Sequence, residues 1–215
     1  MFAVIGLGKF GESVVKELVK AKEDVIAVDS DEHRVDAVKN LASRAVILDS
    51  TNVDALQTAG IQECSAAIVS IGRDLSAAIL TIIALNELGV KKIIAKALSQ
   101  GASKALIKVG ATSTVFPEEE MGVVVARRMR NPNALELVSC GPEHSIVEIV
   151  APEKFRGKTI KDLNLLPEKG ILVIGRLDEA NKVELALTAD YVLNETDRLI
   201  IAGKTKDITK FSKES

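Results

Sequence analysis

The first eleven residues constrain the fold of this chain most. Phe2-Ala3-Val4-Ile5 is a short apolar run typical of a buried strand, and it leads directly into Gly6-Leu7-Gly8-Lys9-Phe10-Gly11. The residues that follow have helical periodicity. A G-x-G-x-x-G turn between a strand and a helix is typical of a dinucleotide-binding fold, whereas the same glycines alone are weak evidence.

Each glycine of this turn has a physical role. Gly6 permits the tight turn, Gly8 lets a phosphate approach the backbone, and Gly11 lets the helix pack closely on the strand. The helix N-terminus then offers unpaired N–H groups and a partial positive charge to the phosphates. A second predicted strand ends in Asp29, 23 positions past Gly6, where a carboxylate accepts hydrogen bonds from ribose hydroxyls and disfavours the 2′-phosphate of NADP.

Composition narrows the classes of partner. The chain has 215 residues, enough for one large or two modest domains, and 47% of them are hydrophobic. Aromatic residues make up only 3%, and the net charge is −2, so nucleic acid is not an expected partner. The longest apolar stretch is far short of a membrane span. We expect a cytoplasmic protein without a signal peptide, whose membrane role depends on a partner.

The first 116 residues repeat one rhythm of apolar run, polar punctuation and helix. We predict an α/β fold, a Rossmann-like doubly wound parallel sheet. The predicted strands are 2–6, 24–29, 44–48, 66–70, 92–96 and 113–116. The predicted helices are 9–21, 31–41, 52–59, 74–89, 99–109 and 118–130, with Asn52 and Ser99 as N-caps. The helix at 74–89 is apolar almost all round, which favours oligomerisation.

The pattern changes at Arg127-Arg128-Met129-Arg130-Asn131-Pro132-Asn133, which we interpret as a helix end and linker. Beyond it short strands dominate and predict a small α+β domain. The predicted strands are 134–139, 145–150, 172–176, 182–186 and 198–202, and the predicted helices are 160–163 and 206–211. We therefore predict a nucleotide-binding domain at 1–133, with a helix at about 118–130, and a small C-terminal domain at 134–215.

Further candidate binding residues follow the other strands, at the sheet edge where such folds bind ligands. Asp49-Ser50-Thr51 follows the third strand and is suited to contact adenosine, although it is equally a good turn and helix cap. Ser70-Ile71-Gly72 follows the fourth strand, where the glycine again permits close backbone approach.

Charged residues lie at the same edge. Lys96 ends the fifth strand, and Lys9 lies within the glycine turn, where an ammonium group would reach a phosphate. Taken singly, each lysine is more often an exposed surface charge. Glu118 begins three acids that suit a helix N-terminus, and beside phosphates it would also hold a divalent cation.

An NAD-dependent oxidoreductase is the alternative function, but the chain offers little for proton transfer. Its one tyrosine, Tyr191, is followed four positions later by Glu195, so the Tyr-x-x-x-Lys of short-chain dehydrogenases is missing. We predict no catalytic residues and expect that the protein is not an enzyme. A bare oligomerisation module with a vestigial pocket is a third hypothesis.

The glycine turn, Asp29, the segments 49–51 and 70–72, and Phe116-Pro117-Glu118-Glu119-Glu120-Met121-Gly122 together resemble the RCK (KTN) family. The resemblance covers the whole chain and is greatest to the TrkA/KtrA type, with a TrkA-N domain followed by a TrkA-C domain. Such proteins are cytosolic regulatory subunits of potassium channels and uptake systems. The resemblance implies a homodimer that assembles into an octameric ring beneath a TrkH/KtrB-like potassium-translocating membrane subunit.

The resemblance also implies the ligand and its contacts. The ligand would be ATP/ADP or NAD(H), with Asp29 on the ribose, Lys9 on the terminal phosphate and Glu118 near a divalent cation. Ligand exchange would change the dimer and so gate the membrane partner, and helix 118–130 would join lobes and partners. The implied cofactor-binding residues are Gly6, Leu7, Gly8, Lys9, Phe10, Gly11, Asp29, Ser30, Asp31, Asp49, Ser50, Thr51, Ser70, Ile71, Gly72, Lys96 and Glu118.

Two positions depart from the family pattern. Family members often have arginine where this chain has Lys9, and lysine lacks the planar fork that grips a phosphate with two bonds. Some relatives bind cyclic di-AMP through a basic residue just after the segment that corresponds to Asp162-Leu163-Asn164. Here Leu165-Leu166 follows, so no cyclic di-AMP site is predicted.

Overall fold

The computed structural model describes residues 1–130 and 134–213. Its contacts divide the chain into two compact units, Met1–Glu120 and Met121–Ser215. The predicted linker residues Asn131, Pro132 and Asn133 lie outside the described residues. Each unit has its own hydrophobic core.

The first unit is a parallel six-stranded sheet with helices between its strands. The strands are β1 (Phe2–Ile5), β2 (Val25–Asp29), β3 (Arg44–Ile47), β4 (Ala66–Val69), β5 (Ile93–Lys96) and β6 (Ser113–Val115). The helices are α1 (Lys9–Lys20), α2 (Glu32–Asp36), α3 (Val53–Thr58), α4 (Leu75–Glu87) and α5 (Gln100–Lys108), and α6 (Pro117–Arg130) begins in this unit. The sheet order is β3-β2-β1-β4-β5-β6, which confirms the predicted doubly wound α/β fold.

The strands form because their apolar residues are covered on both faces of the sheet. All five residues of β2 are buried, as are three of the four in β1. Helices start where polar side chains satisfy free N–H groups: Asn52 caps α3 and Ser99 caps α5, as predicted. The order of strands reverses between β1 and β4, and this opens a crevice at their carboxyl ends.

The second helix differs from the prediction of 31–41. Helix α2 ends at Asp36, and residues 37–41 form turns. The N–H of Val38 donates to the carbonyl of Val35, and the N–H of Leu41 donates to the carbonyl of Val38. These bonds span three residues instead of four, so the chain tightens and leaves the α-helical path.

Helix α4 is buried on one side and apolar on the other. Ala78, Thr81 and Ile82 are buried, whereas Leu80 is 51% exposed and Ile83 is 38% exposed. Packing against its own sheet therefore accounts for part of the apolar surface. Because apolar residues of this helix remain exposed, oligomerisation through α4 stays a prediction.

The second unit contains a five-stranded antiparallel sheet in the order β10-β9-β11-β8-β7. Its strands are β7 (Ala134–Cys140), β8 (His144–Val150), β9 (Leu172–Leu177), β10 (Val183–Leu185) and β11 (Arg198–Lys204). Its helices are α7 (Ile160–Leu163), α8 (Leu165–Lys169) and α9 (Thr205–Phe211). The predicted small α+β domain is confirmed in kind, with one helix more than expected.

Helix α8 was not predicted because it contains Pro167. Proline interrupts a helix when it removes a needed N–H donor. Here it occupies the first turn, where N–H groups have no intrahelical partner. Gly170, with φ of 66°, then ends the helix in the left-handed conformation.

A polar cluster in the second unit surrounds the buried carboxylate of Asp197, which is 1% exposed. Arg176 Nη1 donates to Asp197 Oδ1 at 2.9 Å, and the Tyr191 hydroxyl donates to Oδ2 at 2.9 Å. The backbone N–H of Asn194 donates to the same Oδ2. The guanidinium of Arg176 also lies 4.9 Å from the centre of the Tyr191 ring. The cluster satisfies a charge that would otherwise be costly to bury.

We predict that Tyr191→Phe destabilises the protein by about 1.5 kcal/mol, because Asp197 loses one of its donors. Thermal unfolding followed by circular dichroism should show a lower Tm. Thr209→Val is the control, since the Thr209 hydroxyl bonds to a carbonyl on the exposed surface of α9. Equal melting temperatures for Tyr191→Phe and the parent protein would contradict this prediction.

Within residues 1–130 and 134–213, no helix combines the length and the apolar character that a bilayer crossing requires.

Candidate functional site

The predicted site residues lie along one edge of the parallel sheet, where β1 to β5 end and α6 begins. The glycine turn connects β1 to α1, and Asp29 ends β2. Residues 49–51 follow β3, residues 70–72 follow β4, and Lys96 ends β5. The edge includes the point between β1 and β4 at which the strand order reverses, which is where open α/β sheets bind ligands.

The glycine turn is held by close backbone contacts. Gly6 has φ of 91°, and a Cβ at this position would lie 2.9 Å from the carbonyl carbon of Ser70. A Cβ at Gly11 would lie 1.9 Å from the carbonyl oxygen of Gly6. Gly8 differs, because a Cβ there would meet nothing within 4 Å. Gly6 and Gly11 are therefore required by the fold, whereas the fold alone does not require glycine at position 8.

The space beside Gly8 faces the start of α1. Gly8 is the N-cap of this helix and supplies no side-chain cap. The first N–H groups of a helix lack intrahelical partners and carry the positive end of the helix dipole. The turn therefore presents donors to an anion at the only glycine of the three that has room for it.

Asp29 connects the glycine turn to the end of β2. Its Oδ2 accepts a hydrogen bond from the N–H of Leu7 at 2.6 Å, and its Oδ1 accepts one from the N–H of Asp31 at 2.9 Å. The side chain is only 7% exposed. Each carboxylate oxygen retains a further lone pair, so the group still has acceptor capacity for ribose hydroxyls.

Arg34, which was not among the predicted site residues, lies in α2 beside this carboxylate. Its Nη1 is 3.5 Å from Asp29 Oδ2, and its Nε is 3.6 Å from Asp31 Oδ2. The side chain is 54% exposed, so a ligand can reach it. A basic residue five positions past the ribose-binding acid, in the helix that follows β2, was the available signal. Arg34 partly offsets the negative charge of Asp29 and Asp31. Ser30, which lies between these two residues in the sequence, is exposed.

The loop after β3 is organised by its own residues. Asp49 Oδ1 accepts hydrogen bonds from the N–H and the hydroxyl of Thr51, at 2.9 and 2.8 Å. These bonds lower the pKa of the Asp49 carboxyl, so it is an anionic acceptor at neutral pH. Ser50 is buried, and its hydroxyl contacts α4. The turn interpretation of this segment is thus correct, and Asp49 remains exposed to a ligand.

Lys96 joins three of the predicted elements. Its Nζ lies 2.5 Å from Glu118 Oε1 and 6.0 Å from the centre of the Phe10 ring. A Cβ on Gly72 would lie 3.6 Å from the same Nζ, which is an ordinary van der Waals distance, so the ammonium group does not require glycine at this position. Its side chain is 13% exposed. The hydrogen bond from Lys96 lowers the pKa of Glu118. Ile71, between Ser70 and Gly72, packs on the core.

Lys9 lies apart from this group. Its side chain is 98% exposed, and its Nζ contacts Glu12 at 3.3 Å. The predicted cation site at Glu118 is likewise incomplete within the protein, because no group of three or more His, Cys, Asp or Glu ligands occurs in the part of the chain that the structure describes. Glu118 would supply one oxygen, and other ligands would have to come from a nucleotide or a partner.

Comparison with known proteins gives two domain matches and full-length relatives. The TrkA-N domain matches residues 2–117, and the TrkA-C domain matches residues 144–215. The chain is 38% identical over 212 residues to Ktr system potassium uptake protein C of Bacillus subtilis, covering 99% of this chain and 96% of the relative. It is 37% identical over 213 residues to Ktr system potassium uptake protein A of the same organism, with the same coverage.

Solved structures show the same fold at low identity. The GsuK channel bound to NAD superimposes with a TM-score of 0.63 at 15% identity, over 99% of this chain and 39% of that chain. GsuK bound to ADP superimposes with a TM-score of 0.53 at 13% identity, over 60% of this chain and 35% of that chain. With its TrkA-N and TrkA-C domains and its Ktr relatives, this chain belongs to the RCK family of potassium-transport proteins.

Proposed function

We propose that this protein is a nucleotide-binding regulatory subunit of a membrane potassium transporter or channel. One observation carries the proposal: the carboxylate of Asp29 bonds to the glycine turn, so a ribose acceptor and the phosphate-binding helix N-terminus belong to one connected site. Its relatives are potassium uptake proteins, and proton-transfer groups for an enzyme were not found in the sequence. We therefore favour regulation over an NAD-dependent oxidoreductase.

The ligand proposed is an adenine nucleotide, ATP or ADP, or NAD(H). Structures of a protein with the same fold contain NAD and ADP. The ribose would bind to Asp29, and the phosphates would lie over Gly8 at the start of α1. The other residues of the predicted cofactor-binding set would line the site, except that the side chains of Ser50 and Ile71 point to the protein interior. Lys96 would then share its positive charge between Glu118 and a phosphate.

A divalent cation is the second proposed ligand. Glu118 is anionic at neutral pH and its side chain is 64% exposed. A carboxylate oxygen beside phosphate oxygens suits a hard cation, which takes several oxygen ligands. In this proposal the cation binds only together with a nucleotide, because the protein itself offers too few ligands among its described residues.

The proposed assembly follows the resemblance. A homodimer would form an octameric ring at the cytoplasmic face of the membrane, bound to a TrkH/KtrB-like subunit. The two domains would span residues 1–133 and 134–215. Helix α6 would connect the lobes of one subunit and contact the partner subunit. A nucleotide would gate the transporter only by binding one conformation of the ring better than the other.

Isothermal titration of ligand-stripped protein with ATP, ADP, NAD and NADH, with and without Mg²⁺, tests the binding part. Tight binding with clearly different affinities for these ligands would support a nucleotide sensor. Potassium uptake in cells that carry the membrane subunit, with and without this protein, tests regulation. Oxidation of NADH in the presence of a reducible substrate would instead support the hypothesis of an oxidoreductase. Absence of binding by all four nucleotides would favour the hypothesis of an oligomerisation module with a vestigial pocket.

Lys9→Ala is expected to narrow the difference between the affinities for ATP and ADP by roughly fivefold, since a surface charge pair contributes about 1 kcal/mol at most. Lys9 has a free path to a terminal phosphate because its side chain is almost fully exposed. Titration with both nucleotides measures the ratio. Lys20→Ala, at the far end of the same helix, is the control. If the ratio survives in Lys9→Ala, Lys9 does not sense the terminal phosphate.

A further inference from the structure

A buried hydroxyl pair connects the loop after β3 to helix α4. The Oγ of Ser50 lies 2.8 Å from the Oγ1 of Thr81, and either atom can be the donor. Thr81 is 0% exposed and Ser50 is 8% exposed. The two residues are 31 positions apart, so the bond depends on the tertiary structure.

Thr81 is an exception within its helix. The other buried residues of α4, which the structure describes throughout, are apolar: Ala78, Ile82, Ala84 and Leu85. A buried hydroxyl without a partner is costly, and a paired one is not. An apolar residue would serve the packing of α4 equally well, so the hydroxyl of Thr81 calls for another explanation.

The geometry of the loop supplies that explanation. The Asp49 carboxylate binds Thr51 within the loop, and Asn52 caps α3 immediately afterwards. These bonds fix the shape of the loop, whereas the Ser50–Thr81 bond ties it to the buried side of α4. The hydroxyl of Ser50 points inwards, whereas its neighbour Asp49 is exposed and Thr51 is half-buried.

We propose that Thr81 is a positioning residue that holds Asp49 and Thr51 in place for the adenosine part of the ligand. The inference rests on the proposed nucleotide function and makes it more specific. Ser50 contributes through Thr81 and not through a side-chain contact with the ligand. The bond acts on the part of the site that all adenine ligands share, so its loss weakens every one of them by the same factor.

The test compares Thr81→Val, Thr81→Ser and the double variant Ser50→Ala/Thr81→Val in the full-length protein. Thr81→Val keeps the shape of the side chain but leaves the Ser50 hydroxyl buried without its partner. We expect a lower Tm and roughly fivefold weaker binding of both ATP and ADP, the size of one net hydrogen bond. Thr81→Ser should restore both. Thr58→Val, a helix-surface change in α3, should alter neither.

The double variant separates positioning from simple stability. Removal of both hydroxyls leaves no unpaired group, so the Tm should return close to that of the parent. The affinity should stay low, because the loop is no longer tied to α4. The inference would be overturned if the double variant recovered its nucleotide affinity together with its Tm, or if Thr81→Val bound nucleotides as tightly as the parent protein. In either case the proposed function would stand, because the wild-type protein still binds nucleotides. A wild-type protein that binds no adenine nucleotide would overturn the proposed function itself, and this inference with it.

Discussion

Asp29→Asn is expected to weaken the binding of ATP, ADP and NAD alike, by roughly ten- to a hundredfold. Hydrogen bonds to a charged group contribute about 1.5–3 kcal/mol, and the ribose whose hydroxyls would donate them to Asp29 is common to all three ligands. Asparagine has the same shape, but one of its terminal atoms is a donor. Its single oxygen can accept from the N–H of Leu7 or from that of Asp31 but not from both, and it offers the ribose hydroxyls fewer lone pairs and no charge.

Asparagine is a sharper test than alanine at this position. Alanine would remove the acceptor of both the Leu7 N–H and the Asp31 N–H, whereas asparagine keeps an oxygen for one of them and so disturbs the glycine turn less. Titration calorimetry measures the affinities, and circular dichroism checks that folding is retained. The discrimination against NADP should also decrease, because the charge that repels a 2′-phosphate is gone.

The matched control is Asp36→Asn, at the exposed end of α2, where the carboxylate pairs with Lys39 on the surface. It changes the net charge by the same amount and should leave every affinity as in the parent protein. If Asp29→Asn binds as tightly as this control, Asp29 does not hold the ribose.

The second large effect is expected from alanine substitutions at two glycines of the same turn, which should weaken nucleotide binding for different reasons. Gly11→Ala places a methyl group 1.9 Å from the Gly6 carbonyl oxygen, so α1 must move away from the sheet. We expect a destabilisation of about 1–3 kcal/mol and loss of binding. Gly8→Ala meets no protein atom within 4 Å and has φ of −65°, so its Tm should not fall. Its affinity for nucleotides should nevertheless decrease by roughly tenfold or more, since the methyl group occupies the space for the phosphate.

Thermal melts and titrations of both variants distinguish these outcomes. Gly122→Ala, in helix α6, is the control, because a Cβ there also meets nothing within 4 Å. Gly8→Ala with unchanged affinity would remove the phosphate from this turn. Gly11→Ala with an unchanged Tm would show that the close contact between α1 and the sheet is readily relieved.

The sequence by itself predicted most of the first unit. Three of the four residues in the apolar run Ala66-Ala67-Ile68-Val69 are buried. The positive φ of Gly6 and the closeness of Gly11 to the Gly6 carbonyl oxygen both belong to one local turn, whereas the contact of Gly6 with Ser70 is tertiary. The predicted ends of helices were wrong where other local hydrogen bonds competed with the α-helical ones. Helix α2 ends early because hydrogen bonds that span three residues replace bonds that span four, and the unpredicted helix α8 forms with Pro167 in its first turn.

The candidate site illustrates the other limit. The sequence placed Gly6 to Gly11, Asp29 and Lys96 at one edge, because the ends of parallel strands necessarily meet there. It did not reveal that Lys96 pairs with Glu118, that Arg34 lies beside Asp29, or that Ser50 turns inwards to Thr81. Local periodicity and turn chemistry depend on neighbours in the chain and can be read from it. Side-chain pairs separated by 22 or 31 positions form only when the strands and helices pack, so the tertiary structure alone decided them.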